Sequence, residues 1–153
     1  MALPRPSSIV DLVATRERVW VKPDDPVWKV RRVMIEKGLD GLLVMDGDKV
    51  VGIVTTNDIV FRLALEAPLQ LDGPVSDIMT KDVHSLEVTH LATPAECAAV
   101  MHRLGVRHLP LYVNRGSKKE LVGLATVLDA LLAKTEAEDL HERERTGALQ
   151  SRT

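Results

Sequence analysis

Thr55 and Asp58 stand three residues apart, and Thr126 and Asp129 repeat the pair 71 positions later. Each pair follows an apolar run with a glycine, Val51-Gly52-Ile53-Val54 in one case and Val122-Gly123-Leu124-Ala125 in the other. A hydroxyl and a carboxylate at this spacing, where a strand turns into a helix, can do two things. They can close a capping box, the hydroxyl taking the N3 amide and the carboxylate taking the N-cap amide. They can also hold a ligand. A helix start presents free N–H groups and positive dipole to an anion. A Thr hydroxyl there reaches a phosphate, and a carboxylate one turn on accepts from two vicinal ribose hydroxyls. Capping is the commoner use of such a pair, and spacing alone leaves both open.

Arg107 and His108, just before Leu109-Pro110, are the other residues with charge to offer an anion. Their plainer reading is a surface pair on a strand edge. The corresponding positions in the first half are Asp40 and Gly41. A metal centre is not expected: His84, His90, Cys97 and His102 lack close ligand spacing. Cys97 falls on an apolar helical stripe with Val100 and Met101. There is no Gly-x-Ser-x-Gly elbow and no glycine-rich phosphate loop. Nothing supports catalysis, so the expectation is a protein that is not an enzyme.

The elements that must position these residues come from a duplication. Gly52 and Gly123 are 71 apart, Met34 and Met101 are 67 apart, and Asp11 and Asp77 are 66 apart. The second copy carries an insertion, expected in a loop at Asn114–Lys119, where extra length costs little. Each copy reads strand, helix, strand, strand, helix. Val19-Trp20-Val21 is a strand. Asp25 is the expected N-cap of a helix with Pro26 at N1, a stripe of Val27, Val30 and Met34, and Gly38 as its stop. Leu42–Met45 and Val50–Val54 form a hairpin, and a helix runs from Thr56 to Leu65. In the second copy Thr93-Pro94-Ala95-Glu96 opens a helix with a capping box. Gly105 ends it, Leu109–Val113 and Glu120–Ala125 form the hairpin, and the last helix starts near Ala130. Leu71-Asp72-Gly73-Pro74 is a linker. Neither copy alone buries its apolar faces.

Composition narrows the function classes. Hydrophobic residues are 45% of the 153, enough for a core. A net charge of −2 gives no basic excess for nucleic acid, and 3% aromatics leave little for base stacking. One cysteine rules out an internal disulfide and fits a reducing, cytoplasmic setting. No run nears the roughly 18 apolar residues of a membrane span, and no signal peptide is expected in residues 1–10. Met1 to Ser8 reads as a loose arm, and residues 135–153 as a charged tail with Asp139 and Arg143 at i,i+4.

The duplicated Gly-h-h-Thr-x-x-Asp phrase resembles cystathionine-beta-synthase (CBS) domains. Val75-Ser76-Asp77-Ile78-Met79-Thr80 and Gly105-Val106-Arg107-His108-Leu109-Pro110 resemble that family too. The resemblance covers roughly residues 8–134 and implies a tandem pair, or Bateman module. The implied fold is α+β: two pseudo-symmetric β-α-β-β-α repeats, 8–72 and 73–134, packed through their sheets. The implied function is regulatory, an adenosyl nucleotide held in a cleft between repeats and a signal passed to a protein effector in trans. Thr55, Asp58, Arg107, His108, Thr126 and Asp129 are the implied site residues, with no cofactor required. Asp takes the ribose, Thr lies near phosphate, and Arg107 and His108 serve the site built on Thr55 and Asp58. Asp40 then leaves the Thr126–Asp129 cleft without cations. AMP, ADP, ATP, S-adenosylmethionine and a dinucleotide such as NAD all stay open as ligands. The family also implies a homodimer, and Trp28 and Ile35 on the flank of their helix fit an interface. The competing reading is a structural dimerisation module whose Thr-x-x-Asp boxes only cap helices.

Overall fold

Each half of the chain builds one three-stranded sheet with the same strand order. The structure, a computed structural model, describes residues 8–65, 71–89, 92–131, 141, 144, 145 and 147. Residues 1–7 of the expected arm, His90, the Asp139–Arg143 pair and most of the charged tail lie outside the described residues, while Ser8, expected as the arm's last residue, is instead buried and caps a helix.

The chain divides into two compact units, residues 17–83 and residues 1–16 with 84–153. In the first of these, β1 (Trp20–Val21) lies parallel to β2 (Gly41–Asp46), and β2 pairs antiparallel with β3 (Lys49–Thr55). Helix α2 (Val27–Lys37) connects β1 to β2, and α3 (Thr56–Leu65) leaves the end of β3. The other unit repeats this. There β4 (Leu86–Glu87) is parallel to β5 (His108–Arg115), which pairs antiparallel with β6 (Lys118–Thr126). Helix α4 (Pro94–Leu104) makes the crossover, and residues 127–131 are helical after β6. The expected duplicated order is present, and the fold is α+β.

Both crossover helices stop where the glycines require. Gly38 and Gly105 take left-handed conformations, with φ of 63° and 67°, which a side chain would resist. Their starts differ. Thr93 closes a capping box with Glu96, its hydroxyl taking the Glu96 amide at 3.2 Å and Glu96 taking the Thr93 amide at 3.0 Å. For α2 the N-cap is Pro26, not Asp25 as expected, and no side chain caps the helix. The linker does the work instead. The Val27 and Trp28 amides donate to the Gly73 and Leu71 carbonyls at 3.0 and 2.9 Å. Backbone acceptors satisfy the helix's open donors, so Asp25 is released to accept from the Lys22 amide and pair with Lys29. Burial pushes the Asp25 carboxyl up, but these two donors outweigh it and hold the group below its ordinary range.

The insertion in the second copy is not a longer loop. Both hairpins turn through two residues, Gly47-Asp48 and Gly116-Ser117, with the glycines at φ 63° and 65°. The added length sits in β5 and β6, which have 8 and 9 residues against 6 and 7 for β2 and β3. Lengthening both strands by two residues preserves which side chains face the core.

The segments leading into each repeat are exchanged between the two cores. Helix α1 (Ile9–Ala14), capped by Ser8 on the Asp11 amide, buries Ile9, Val10 and Val13 with Cys97, Met101, Leu109 and Leu111. Val75 and Ile78, in and after a 3-10 turn at Val75–Asp77, belong to the core of Val27, Val30, Met34, Leu42 and Val54. Two bare backbone positions permit this. Thr80 exchanges both backbone hydrogen bonds with Ile53, beside Gly52, where an added Cβ would run into Met79. Val13 lies over Gly123 in the same way. Cys97 is wholly buried, and burial pushes its thiol up to about 11, so it is a core side chain and not a nucleophile.

Candidate functional site

Thr55 is the last residue of β3, and α3 begins at Thr56. The Thr56 amide donates to the Asp40 carbonyl at 2.9 Å, so the residue leading into β2 holds the junction in place. Asp58 lies in the first turn of α3. Its Oδ2 accepts from the Thr55 amide at 2.7 Å and from the Thr55 hydroxyl at 3.1 Å. The Asp58 amide returns a 3.4 Å bond to Thr55 Oγ1. All of these bonds to the carboxylate fall on one oxygen. Oδ1 accepts none among the described residues, and the side chain is half-buried.

Thr126 and Asp129 reproduce the box. Asp129 Oδ2 takes the Thr126 amide at 2.8 Å, and the Asp129 amide donates to Thr126 Oγ1 at 3.3 Å. The junction is again held by a carbonyl, here Arg107 accepting from the Val127 amide at 3.1 Å. The second carboxylate oxygen differs. Asp129 Oδ1 is ion-paired with the Arg16 guanidinium, and the Asp129 side chain is 1% exposed. Arg16 was not singled out from the sequence. It is 113 residues from its carboxylate, and only the repeat offset of 66 hints at it, since the corresponding position is Asp82.

The capping reading therefore holds for both pairs, and it leaves ligand chemistry available at one of them. A carboxylate oriented by two local donors, with its other oxygen open, can accept hydroxyl donors from a sugar. Arg107 is exposed and His108 half-buried, and His108 is the strand partner of Thr126. They share a unit with Thr126 and Asp129, while Thr55, Asp58 and Asp40 lie in the other. Assigning Arg107 and His108 to the Thr55–Asp58 ligand joins residues of both units, and it rests on the resemblance. No group of three or more His, Cys, Asp or Glu residues able to hold a metal occurs among the described residues. Nor is any helix among them long and apolar enough to cross a membrane.

The family model described as CBS domain matches this chain twice, at residues 9–65 and 75–136. The chain belongs to the CBS domain family. Its two matches make it a tandem CBS pair. It is 40% identical over 114 residues to an inosine-5'-monophosphate dehydrogenase of Korarchaeum cryptofilum, a stretch covering 74% of this chain and 22% of that one. The pair thus spans about a fifth of that relative's length, and the match indicates no enzymatic activity for this chain. Among solved structures, a signal-transduction protein with CBS domains from Burkholderia ambifaria is similar at a TM-score of 0.68 and 30% identity. That match covers 81% of this chain and 90% of the other. A structure of the protein CBSX2 in complex with AMP has a TM-score of 0.63 at 20% identity, covers 81% of this chain and 92% of that one, and shows the shared fold.

Proposed function

We propose that this CBS pair is a regulatory sensor of an adenosyl compound, with AMP, ADP and ATP as the first candidates. It takes the ligand at Thr55 and Asp58 and passes its bound state to a protein effector. The observation that carries this is the Asp58 carboxylate, held by Thr55 through one oxygen while the other accepts from none of the described residues. A ribose diol matches that acceptor, and the adjacent helix start suits a phosphate. The AMP bound by a structural relative supports the same class. Arg107 and His108 would offset phosphate charge, as the resemblance implies.

A thermal-shift panel of AMP, ADP, ATP, S-adenosylmethionine and NAD tests the reading. A ligand at 100 times its Kd adds about 2.7 kcal/mol, or roughly 5–10 °C for a chain of this size. A panel in which none of the five moves the transition leaves the structural module as the better account.

The protein is also proposed to form a homodimer. Trp28 is 42% exposed and Ile35 is 70% exposed on one flank of α2, with the Arg32 guanidinium 5.3 Å from the Trp28 ring centroid. Val60 and Phe61 on α3 are each 59% exposed. Apolar groups of this size in clusters mark association surfaces. Sedimentation velocity should show twice the 16.9 kDa chain mass, and a single species of chain mass at high concentration would argue against it.

A further inference from the structure

We infer that Arg16 latches the Thr126–Asp129 motif shut, so that the pair takes its adenosyl ligand at Thr55–Asp58 alone. This deepens the adenosyl reading and rests on it. Both oxygens of the Asp129 carboxylate are committed. Oδ2 holds the Thr126 amide and Oδ1 holds Arg16, and the side chain is all but sealed from solvent. A ribose diol needs acceptor oxygens, and here it must first displace a guanidinium from a buried carboxylate. Hydrogen bonds to charged groups are the strong ones, and breaking such a pair leaves a buried charge uncompensated. At Asp58 the same internal box leaves Oδ1 open.

The latch has a built position. Helix α1 is pinned by the Ser8 cap and by Val13 seated on Gly123 of β6. The chain turns off the helix at Thr15, whose amide bonds the Asp11 carbonyl, and the Arg16 amide bonds the Val13 carbonyl at 3.3 Å. Arg16 is thereby delivered to Asp129 from within its own unit. Among the described residues, no cation in the other unit is shown paired with Asp58. At the repeat offset its leader carries Asp82, which is exposed and has the wrong charge to pair with Asp58. The asymmetry is written into the two leaders, not into the two Thr-x-x-Asp phrases.

Titration calorimetry of the full chain with AMP reads this directly. The wild type should bind one AMP per chain, roughly ten- to a hundredfold more weakly in Asp58→Ala and unchanged in Asp129→Ala. Arg16→Gln should raise the stoichiometry from one to two, and adding Asp129→Ala to it should return one. Because Arg16→Gln strands a buried carboxylate and could impair folding, the wild type carries a second measurement. Its Arg16 guanidinium NMR signals, slowed by the ion pair, should stay in place when AMP saturates Asp58. Two AMP per wild-type chain, or Arg16 signals that move with the first AMP bound, would overturn the latch while leaving the adenosyl reading intact. So would a folded Arg16→Gln protein that still binds one. Failure of AMP, ADP, ATP, S-adenosylmethionine and NAD alike to bind any variant would instead remove the adenosyl reading, and the latch with it.

Discussion

Asp58→Ala is expected to weaken AMP binding by roughly ten- to a hundredfold, while Asp129→Ala changes it little. The first figure follows from removing hydrogen bonds between a ribose diol and a carboxylate. Bonds to a charged group are worth about 1.5–3 kcal/mol, and each 1.4 kcal/mol is a factor of about ten in Kd. The loss is not one of folding alone, because Asp58 is half-buried and its local partner is Thr55. Removing the box costs about 1 kcal/mol of capping, and a Tm measured beside the titration separates that cost from the ligand's. Asp129→Ala has the opposite profile. It takes away a carboxylate that Arg16 already occupies, so its effect should appear in stability. Equal losses of affinity in the two variants would mean that both motifs bind ligand alike.

Gly123→Ala is expected to be the most damaging small substitution. Gly123 has φ 155°, and a Cβ there would lie 2.7 Å from Val13 Cγ1 and 3.6 Å from the Val13 carbonyl oxygen. Val13 is buried and stiff at χ1, so α1 must shift away from β6. Overpacking of this kind costs about 1–3 kcal/mol, and a side chain in a sparsely populated backbone region adds about 1–3 kcal/mol. Together these come to about 2–6 kcal/mol, and at about 2–4 °C per kcal/mol Tm should fall by roughly 4–24 °C. Gly116→Ala is the control. That residue also has a positive φ, of 65°, but nothing lies within 4 Å of its added Cβ, so only the backbone strain remains. Hydrogen exchange should show α1 losing protection first in Gly123→Ala. A variant as stable as Gly116→Ala, with α1 protected, would contradict the seating of the leader on β6.

The sequence disclosed what is local and repeated. Gly38 and Gly105 end their helices because only glycine tolerates that conformation cheaply. Thr93 and Glu96 form their box because the partners are three residues apart. The duplicated phrase placed Thr55 and Thr126 at matching junctions, and the boxes there formed as their spacing allows. Non-local choices were not readable. The match of Asp11 with Asp77 at the repeat offset did not show that a helix forms at Ile9–Ala14 or against which sheet it packs, and it joins the core containing Cys97 and Leu109. Asp25 has the chemistry of an N-cap, yet the carbonyls of Leu71 and Gly73 arrive from the linker and take its place. Arg16 meets Asp129 across 113 residues. Such a pairing needs the fold before it has meaning, although the mismatch of Arg16 with Asp82 at the repeat offset was there to be seen. The insertion illustrates a third case. Its position was legible, but its use as two extra residues on each strand follows from the pairing rule of an antiparallel hairpin.

The most direct test of the central claim is an amide NMR titration of the full chain with AMP. Thr55, Thr56, Asn57 and Asp58 are predicted to shift together and saturably, with a midpoint that Asp58→Ala raises at least tenfold. The amides of Thr126, Val127, Leu128 and Asp129 should move little over the same range. If AMP leaves the Thr55–Asp58 amides unmoved at concentrations that saturate any other part of the chain, or at every concentration reached, the adenosyl site is not where Asp58 places it.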